Sequence, residues 1–580
     1  MDNIQLSTSN ITIAAASTAA GYMLYKTLTS AASKSSISSL QGPKSSSTIL
    51  GHMAEMVDPT PQLIDKWIST YGLTMSICTP LSVKGVYSAD PSVAAYVFNN
   101  AMNFKKPEFV KSAIYNITGP GVFAMEGEVN RKQRRVLNPA FSMAQVKQLT
   151  PTMIVKTQEL KNAWINELAT ATPDSTIDVL DWLGHMALDI IGEAGFGYQF
   201  NTLHDHASGV PKNELAAAFE ELLAGAAAAD VIGILGLFIP FVQKLPFKRN
   251  IVALNCKAVM HRIGSEIVQE KKKDLDLAKA SGKADQLVEK DVLSAILRCN
   301  MQEIGAGKIT DDEVLAQIAT FIVAGQDSSS ASITWALYRL SKSKDIQAKL
   351  RSEVLAFPND NPSFDELNTL TYLDWVVKET LRLDIPVPLA QRVPLTDVVI
   401  PLSSPVVGKN GEPINEIFLR AGETIIVSTG GLNFSNRFWG SDSHEFKPER
   451  YAKLPEEVAN IPSAFGNVTT FISGPRMCIG WRFAVAEMKA ALFTLIRTFE
   501  FDIDPTLVIG KRSTIFARPF IVGDPDSRTR LPLKVSLYKE PSSRGAGSII
   551  LVDLLPTITN TCEALVHWVI AYSIFLLSSH

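Results

Sequence analysis

One short stretch, FISGPRMCIG at Phe471–Gly480, constrains the fold of this chain more than any other feature. It holds a single cysteine, Cys478, two residues after an arginine and two residues before a glycine. The pattern F-x-x-G-x-R-x-C-x-G would occur by chance in roughly one chain in ten thousand at average residue frequencies. Apolar residues then recur at helical spacing over Trp481–Phe499. The sequence therefore predicts a glycine-bounded loop that presents one cysteine at the N-terminus of a helix.

This position of Cys478 favours a thiolate, because the dipole and free N–H groups of a helix N-terminus stabilise an anion and lower a thiol pKa. If the thiolate is an axial ligand of haem iron, each fixed residue has a role. Gly474 and Gly480 lack a Cβ, so the backbone can turn tightly against a flat macrocycle. Arg476 can pair with a haem propionate, and Phe471 can shield the sulfur from water. The alternative is a buried structural thiol, since free cysteine is among the most buried residue types.

Composition narrows the class of protein. With 580 residues, of which 46% are hydrophobic, the chain can bury a large core. Its net charge of −3 at pH 7 excludes a strongly basic nucleic-acid binder on bulk electrostatics. The five cysteines are few, widely spaced and odd in number, and no CxxC pair or Cys/His cluster in the sequence indicates zinc or a disulfide framework. A protein of a reducing compartment fits these observations best.

The two ends of the chain differ from its middle. Asn3–Tyr25 carries no charge and, at about 1.5 Å per residue, is long enough to cross a bilayer. Lysines follow it, so the positive-inside rule predicts an anchor within residues 1–30 and the remainder in the cytosol; a secretory signal peptide is the competing interpretation. We expect a polar connector at 31–49 and one domain at 50–540. For the apolar extension at 541–580, a second membrane contact, a packed segment and a gene-model error all stay open.

The middle of the chain is predicted to be mainly helical. Apolar residues recur at spacings of three and four, which is typical of helices, over 143–170, 176–195, 255–273, 311–342 and 364–383. Shorter strands are predicted near 73–88, within 391–427 and within 513–537. The predicted fold class is therefore mainly α with a smaller β portion.

Polar residues interrupt the apolar pattern inside the predicted helix at 311–342. Asp327 and Ser328 need partners there, because burial of an unpaired polar group costs free energy. Ala324 and Gly325 are small enough for a flat cofactor and a diatomic ligand to approach the backbone. Asp327 and Ser328 would then relay protons to oxygen bound at that cofactor. The alternative is an ordinary helix whose hydroxyls bond to preceding carbonyls.

Charged residues elsewhere form a second pattern. Glu379 and Arg382 are neighbours at i, i+3 on one helix face, and their apolar flanks indicate burial. A buried pair needs further donors, and Arg450 in FWGSDSHEFKPERY is the candidate.

On a predicted helix, Arg134 is rotated away from the other basic residues of the run at 131–135. Those outward charges fit a solvated face or contact with an acidic electron-donor protein.

Together these motifs resemble the cytochrome P450 family, over most of the chain and in the family's order. The stretch around Cys478 is similar to the family's haem-binding loop. The segment Ala324–Ser328 resembles its A-G-x-[D/E]-T segment over the distal haem face, with Ser328 in place of the usual threonine. Serine keeps the hydroxyl but loses the β-branch that stiffens χ1, so we expect oxygen activation to be less tightly coupled.

The arginines match the family as well. The set of Glu379, Arg382 and Arg450 resembles its Glu-Arg-Arg scaffold on the proximal side. Arg134 and Arg392 match its two propionate-binding arginines. Asn130, however, stands where the family usually has tryptophan or histidine.

The resemblance implies a haem-b monooxygenase that uses O₂ and acts on a lipophilic small molecule. No flavin or dinucleotide fingerprint is evident, so electrons are expected from NADPH through a separate cytochrome P450 reductase. The sequence is similar to fungal microsomal members, which implies the endoplasmic reticulum membrane with the catalytic domain facing the cytosol, and secondary metabolism such as terpenoid tailoring. Two alternatives stay open: a reductase-independent haem-thiolate isomerase or dehydratase, and a non-catalytic haem- or lipid-binding protein.

Overall fold

The computed structural model describes residues 35–48, 50–57, 60–170, 172, 175–227, 245, 247–281, 291–513, 516–526 and 528–539. Its α-helices in chain order are α1 Met53–Val57, α2 Pro61–Tyr71, α3 Pro91–Asn99, α4 Glu108–Thr118, α5 Gly127–Leu137, α6 Met143–Thr170, α7 Val179–Phe196, α8 Thr202–Ser208, α9 Glu214–Ala227, α10 Lys248–Ala280, α11 Val292–Gln302, α12 Asp311–Lys342, α13 Lys344–Ala356, α14 Phe364–Leu367, α15 Thr371–Leu383, α16 Thr429–Phe434, α17 Asn436–Trp439 and α18 Trp481–Thr498. Its strands are β1 Thr74–Cys78, β2 Lys84–Ser88, β3 Phe104–Lys105, β4 Ile177–Asp178, β5 Leu389–Pro394, β6 Val398–Val407, β7 Pro413–Leu419, β8 Thr424–Ser428, β9 Phe499–Asp502, β10 Ile509–Ser513, β11 Ala517–Ile521 and β12 Pro532–Leu537.

The predicted fold class, mainly α with a smaller β portion, is confirmed. The helix predictions at 143–170 and 311–342 match α6 and α12 end to end, while α10 extends beyond the predicted 255–273 on both sides. These long helices can be predicted from the sequence because their apolar residues keep helical spacing over many positions.

The helix prediction at 364–383 is confirmed over most of its length, but residues 368–370 divide it into two helices, α14 and α15. The Asn368 side chain bonds back to the Phe364 carbonyl (2.8 Å) at the end of α14. The carboxylate of Glu353 on α13 then accepts the N–H groups of Tyr372 and Leu373, each at 2.8 Å. A carboxylate at these free N–H groups stabilises a new helix start.

Small sheets surround the helices. The largest has the order β1-β2-β8-β5-β3, in which β2 and β8 run parallel and the other pairs are antiparallel. A three-stranded sheet has the order β4-β12-β9, and β6–β7 and β10–β11 form hairpins. In the β3–β5 pair, Lys105 lies opposite Val393, next to Arg392. This register matters for the site described below.

The central helix of the core is α12, which packs against α7, α15 and α18. It begins with a capping box, in which Thr310 accepts the Glu313 N–H and the Glu313 carboxylate accepts the Thr310 N–H. Ile322 and Ile333 on α12 are fully buried. The Trp335 indole N–H donates to the Ala517 carbonyl of β11 at 3.0 Å. The Trp335 bond joins α12 to β11, and the buried face of α12 packs against the three neighbouring helices.

The predicted anchor at 1–30 and the predicted extension at 541–580 both lie outside the described residues. Within the connector predicted at 31–49, Ile37 and Leu40 are buried, and Leu40 pairs with Gly408 beyond the end of β6. Of the helices in the described ranges, none is both long enough and apolar enough to cross a bilayer.

Candidate haem-thiolate site

The loop before α18 carries Cys478, and local backbone bonds hold it in place. The Cys478 N–H donates to the Phe471 carbonyl at 2.9 Å, and the Met477 N–H donates to the Gly474 carbonyl at 3.1 Å. Gly474 has a φ of +73°, which favours glycine, and a Cβ there would lie 2.5 Å from the Phe98 carbonyl oxygen on α3. A glycine is therefore required at position 474 because the backbone of the loop lies close to α3.

Gly480 stands at the N-cap of α18 and, unlike Gly474, is not crowded by the described protein atoms. A Cβ at Gly480 would come no closer than 3.8 Å to the described atoms, at Phe141 Cε1. The described protein contacts therefore do not require glycine at this position. A planar group lying against the backbone beside Cys478 would require it.

The thiol of Cys478 is accessible, yet the surrounding protein removes enough water to raise its pKa. The backbone N–H of Gly480 and the charge of Arg134 act in the opposite direction but are weaker than burial. The lowered pKa expected from the helix N-terminus is therefore not found for the protein alone. Coordination to a metal ion would deprotonate the thiol outright.

Positive charge concentrates beside this loop. Arg476 forms an ion pair with Glu126, and Lys106 Nζ lies 2.8 Å from Glu126 Oε1. Burial, followed by opposed effects of Glu126 and Arg476, lowers the pKa of Arg392 to about 10. Burial also lowers the pKa of Lys106 to about 8, with added repulsion from Arg392 and Arg476. The pKa of Arg134 is lowered by burial and by Arg476.

This cluster holds more positive than negative charge among the described residues, since Lys106, Arg392 and Arg476 interact with the carboxylate of Glu126 and Arg134 is repelled by Arg476. Desolvated cations are costly unless anions pair with them. A bound group with two carboxylates would supply the missing charge. The residues present therefore fit a haem, whose propionates would lie among these cations while Cys478 reaches the iron.

Sequence reasoning missed Lys106 and Glu126. Neither lies in a local pattern that indicates a site; the β3–β5 register brings Lys106 beside Arg392. The structure also gives Asn130 a role, because its amide donates to the Val122 carbonyl at 2.7 Å. This bond links α5 to the loop that carries Glu126.

In the structure, the four α12 residues predicted to face the cofactor have different surroundings. A Cβ on Gly325 would lie 3.1 Å from Ile191 Cγ1, so this glycine allows α7 to pack closely. Ala324 is half-buried. The Ser328 hydroxyl donates to the Ala324 carbonyl at 2.5 Å, which is the back-bonding that the ordinary-helix alternative predicts. Asp327 is buried and forms an ion pair with Arg518 on β11.

Glu379, Arg382 and Arg450 lie together in the interior. Arg382 Nε and Nη2 donate to the two Glu379 oxygens at 2.8 and 2.9 Å, and Arg450 Nε donates to Glu379 Oε1 at 2.8 Å. Arg382 Nη1 also bonds to the carbonyls of Asn433 and Ser443 at 3.1 and 2.6 Å. The fork of Arg382 thus joins α15 to the segment that follows β8.

The basic face of α5 is already paired within the chain. Arg131 lies 3.5 Å from Glu128, and Arg135 lies 2.8 Å from Glu303; both arginines are largely exposed. Exposed pairs of this kind contribute little to stability. They fit the solvated-face interpretation of the run.

A mainly helical domain with a cysteine loop before a helix, beside a surplus of partly buried arginine and lysine, fits the class of haem-thiolate proteins. Comparison with known proteins agrees. The family described as cytochrome P450 matches residues 41–514. The chain is 36% identical over 510 residues to cytochrome P450 monooxygenase 205 of Postia placenta, covering 87% of this chain and 93% of that protein.

Two further relatives are similar. Cytochrome P450 monooxygenase 128 of Postia placenta is 37% identical over 511 residues, which cover 86% of this chain and 92% of the relative. Cytochrome P450 monooxygenase claQ of Ampulloclitocybe clavipes is 33% identical over 508 residues, with the same coverage. The chain belongs to the cytochrome P450 family and is an oxidoreductase of the monooxygenase type.

Proposed function

We propose that this chain binds haem b through Cys478 and inserts one oxygen atom from O₂ into a lipophilic small molecule. Haem with an axial thiolate supplies O₂ binding and O–O cleavage once two electrons are delivered. The observation that carries the proposal is the exposed residue Cys478 next to the surplus of partly buried cations around Glu126. Structural thiols do not need such a charge arrangement.

The residues around Cys478 would bind and orient the cofactor. Arg134, Arg392 and Arg476 would hold the propionates, with Lys106 as a fourth cation. Phe471 is buried and packs beside Phe465 at a ring distance of 6.2 Å, and it would shield the sulfur from water. Hydrogen bonding and dryness around the sulfur tune an axial thiolate.

Asp327 and Ser328 would supply protons on the distal side. The Ser328 hydroxyl bonds to a carbonyl of its own helix, so it must rotate away to donate a hydrogen bond elsewhere. Arg518, whose side chain is partly exposed, forms an ion pair with the buried Asp327 carboxylate and would orient it. A proton would enter at Asp327 and pass to the Ser328 oxygen, directly or through water.

We further propose that electrons come from NADPH through a separate cytochrome P450 reductase. The enzyme would be anchored by residues 1–30 in the endoplasmic reticulum membrane with its domain at 50–540 in the cytosol. The substrate would be terpenoid-like and the role secondary metabolism. By resemblance to the family, Ile322–Ser328 and Val387–Gln391 would line part of the substrate site, and their mostly small and aliphatic residues support a lipophilic substrate.

The decisive experiment is a carbon monoxide difference spectrum of the reduced, full-length protein. We expect a Soret band at about 450 nm for the wild type, which is the signature of an axial thiolate. Cys478→Ala should lose this band. Cys78→Ala, a half-buried cysteine on β1, is the matched control and should keep it. A wild-type protein without the band would refute the proposal.

Two measurements separate the alternative functions. Product formation from a substrate panel should require NADPH and reductase; formation without them would indicate an isomerase or dehydratase. The product should also carry ¹⁸O when ¹⁸O₂ is supplied. Binding of haem and of lipophilic molecules with no labelled product would favour a non-catalytic binding protein.

A further inference from the structure

Outside the residues assigned to haem, two histidines and an aspartate meet where α7 and α8 lie side by side. Asp181 and His185 stand at i, i+4 on α7, which places them on one helix face. His206 reaches them from α8. His185 Nε2 lies 3.8 Å from Asp181 Oδ1, and His206 Nε2 lies 3.5 Å from Asp181 Oδ2. The three potential ligand atoms all lie within 4.8 Å of one another.

Ordinary hydrogen bonds do not account for this arrangement. The two N···O distances exceed the range of a good hydrogen bond, which ends at about 3.2 Å. Two ligand atoms of a tetrahedral zinc ion, each at about 2.0–2.1 Å from the metal, lie about 3.3 Å apart. The two observed N···O separations, 3.8 and 3.5 Å, are therefore close to those of a metal site, and side-chain rotations that draw the three ligand atoms together would complete it.

The backbone that carries the three ligands is held rigidly. The Asp189 carboxylate on α7 accepts the N–H groups of Thr202 and Leu203, at 2.8 and 3.0 Å, at the start of α8. The Thr202 hydroxyl donates to the His185 carbonyl at 3.1 Å and to Asp189 at 2.9 Å. These buried bonds fix α8 to α7 close to His185. A site on two fixed helices is preorganised for a ligand.

The His206 ring is also held in place. It lies edge-on to Trp182, with ring centroids 4.4 Å apart, and 4.5 Å from the His185 ring. His185 is buried, whereas the side chains of Asp181 and His206 are 55% and 32% exposed. The cluster is therefore open to solvent on one side, where an ion and a water ligand can enter.

The charge around the cluster suits a divalent cation. Lys212 and Glu220 both act electrostatically on His185, but they pair with each other at 2.6 Å and largely cancel. Asp181 supplies the negative charge. Two imidazoles and one carboxylate, with a fourth position left for water, are a ligand set that zinc accepts.

We propose that Asp181, His185 and His206 form a binding site for a divalent transition-metal ion, Zn²⁺ in particular, which clamps α7 to α8. The site is separate from haem binding and needs no cysteine. An ion there would bind the folded chain and stabilise it by mass action.

The test uses the full-length, haem-loaded protein, freed of metal with a chelator and titrated with zinc chloride by isothermal calorimetry. We expect one saturable site in the wild type. His206→Ala should weaken the affinity at least tenfold, since even outer-shell partners of a metal ligand are worth 10- to 100-fold. The matched control is His204→Ala, because His204 lies on the same helix, is 74% exposed and is paired with Asp205 rather than with Asp181 in the described residues. This variant should bind zinc as the wild type does.

Two further measurements keep the proposal falsifiable. Zinc at about 100 times Kd should raise the unfolding temperature of the wild type and of His204→Ala by about 2–3 °C, but not that of His206→Ala. If His206→Ala fails to fold, Asp181→Asn keeps the side-chain shape and should lose the same affinity. Zinc binding by His206→Ala and Asp181→Asn equal to that of the wild type would overturn the proposal. So would sulfur ligation in zinc X-ray absorption, or the absence of binding below about 1 mM zinc.

Discussion

Replacement of Glu487 by glutamine should remove a loss of stability that the wild-type protein suffers as the pH rises. Glu487 lies on α18, is 1% exposed and faces α12. Ser329 on α12 interacts with its carboxyl group, but neither oxygen makes a hydrogen bond of normal geometry within the described residues. Burial therefore raises the pKa of Glu487 from 4.5 to about 8.

The sign and size of the effect follow from proton linkage. Between pH 4.5 and 8 the folded state keeps the Glu487 proton while the unfolded state releases it, so the free energy of unfolding falls as the pH rises. One pKa unit corresponds to about 1.36 kcal/mol, and a single group with these two pKa values loses about 2.5 kcal/mol between pH 5 and pH 7. Glutamine has the same shape and does not ionise, so Glu487→Gln should lack this component.

The assay is guanidinium unfolding of the wild type and the variant at pH 5, 6 and 7. The stability difference between the two proteins should grow in favour of Glu487→Gln by about 2.5 kcal/mol over this range. Glu457→Gln, at an exposed position, is the matched control and should follow the wild type. Parallel pH dependence of Glu487→Gln and the wild type would refute the reasoning, since it would mean that Glu487 ionises in the folded state.

Two further predictions concern the scaffold and the distal helix. Arg382→Ala should cost about 3–5 kcal/mol, because the Glu379 carboxylate would stay buried without its main partner, whereas Arg528→Ala at an exposed pair should cost less than about 1 kcal/mol. Similar urea midpoints for these two variants would contradict the burial argument. Ser328→Ala should keep the carbon monoxide band and lower the rate of product formation by about 10²-fold, the lower end of general acid–base effects; an unchanged rate would exclude the hydroxyl from proton delivery.

Tertiary contacts also changed the interpretation of single residues. The sequence assigns Gly474 and Gly325 to contact with a cofactor, but the described atoms nearest to a Cβ at these positions belong to Phe98 and Ile191. The expected lowering of the Cys478 pKa came from helix geometry alone, and burial outweighs it. Which neighbours surround a loop depends on the whole fold.

The sequence by itself determined the long helices, the cysteine loop and the pairing of Glu379 with Arg382. Each depends on residues a few positions apart. Helical periodicity and the turn-forming properties of glycine and proline therefore reveal them in the sequence. The fold class follows from the same periodicities, since they distinguish long helices from short strands.

Only the tertiary structure decided which distant residues meet. Glu353 on α13 accepts the first N–H groups of α15. The register of β3 against β5 brings Lys106 beside Arg392, and Glu126 joins this group through ion pairs with Lys106 and Arg476. His206 meets His185 through the packing of α8 on α7. The sequence shows no Cys/His cluster, yet the fold assembles one of histidine and aspartate. Side-chain charge and hydrogen bonding act over a few ångströms in space, and separation along the chain does not predict that distance.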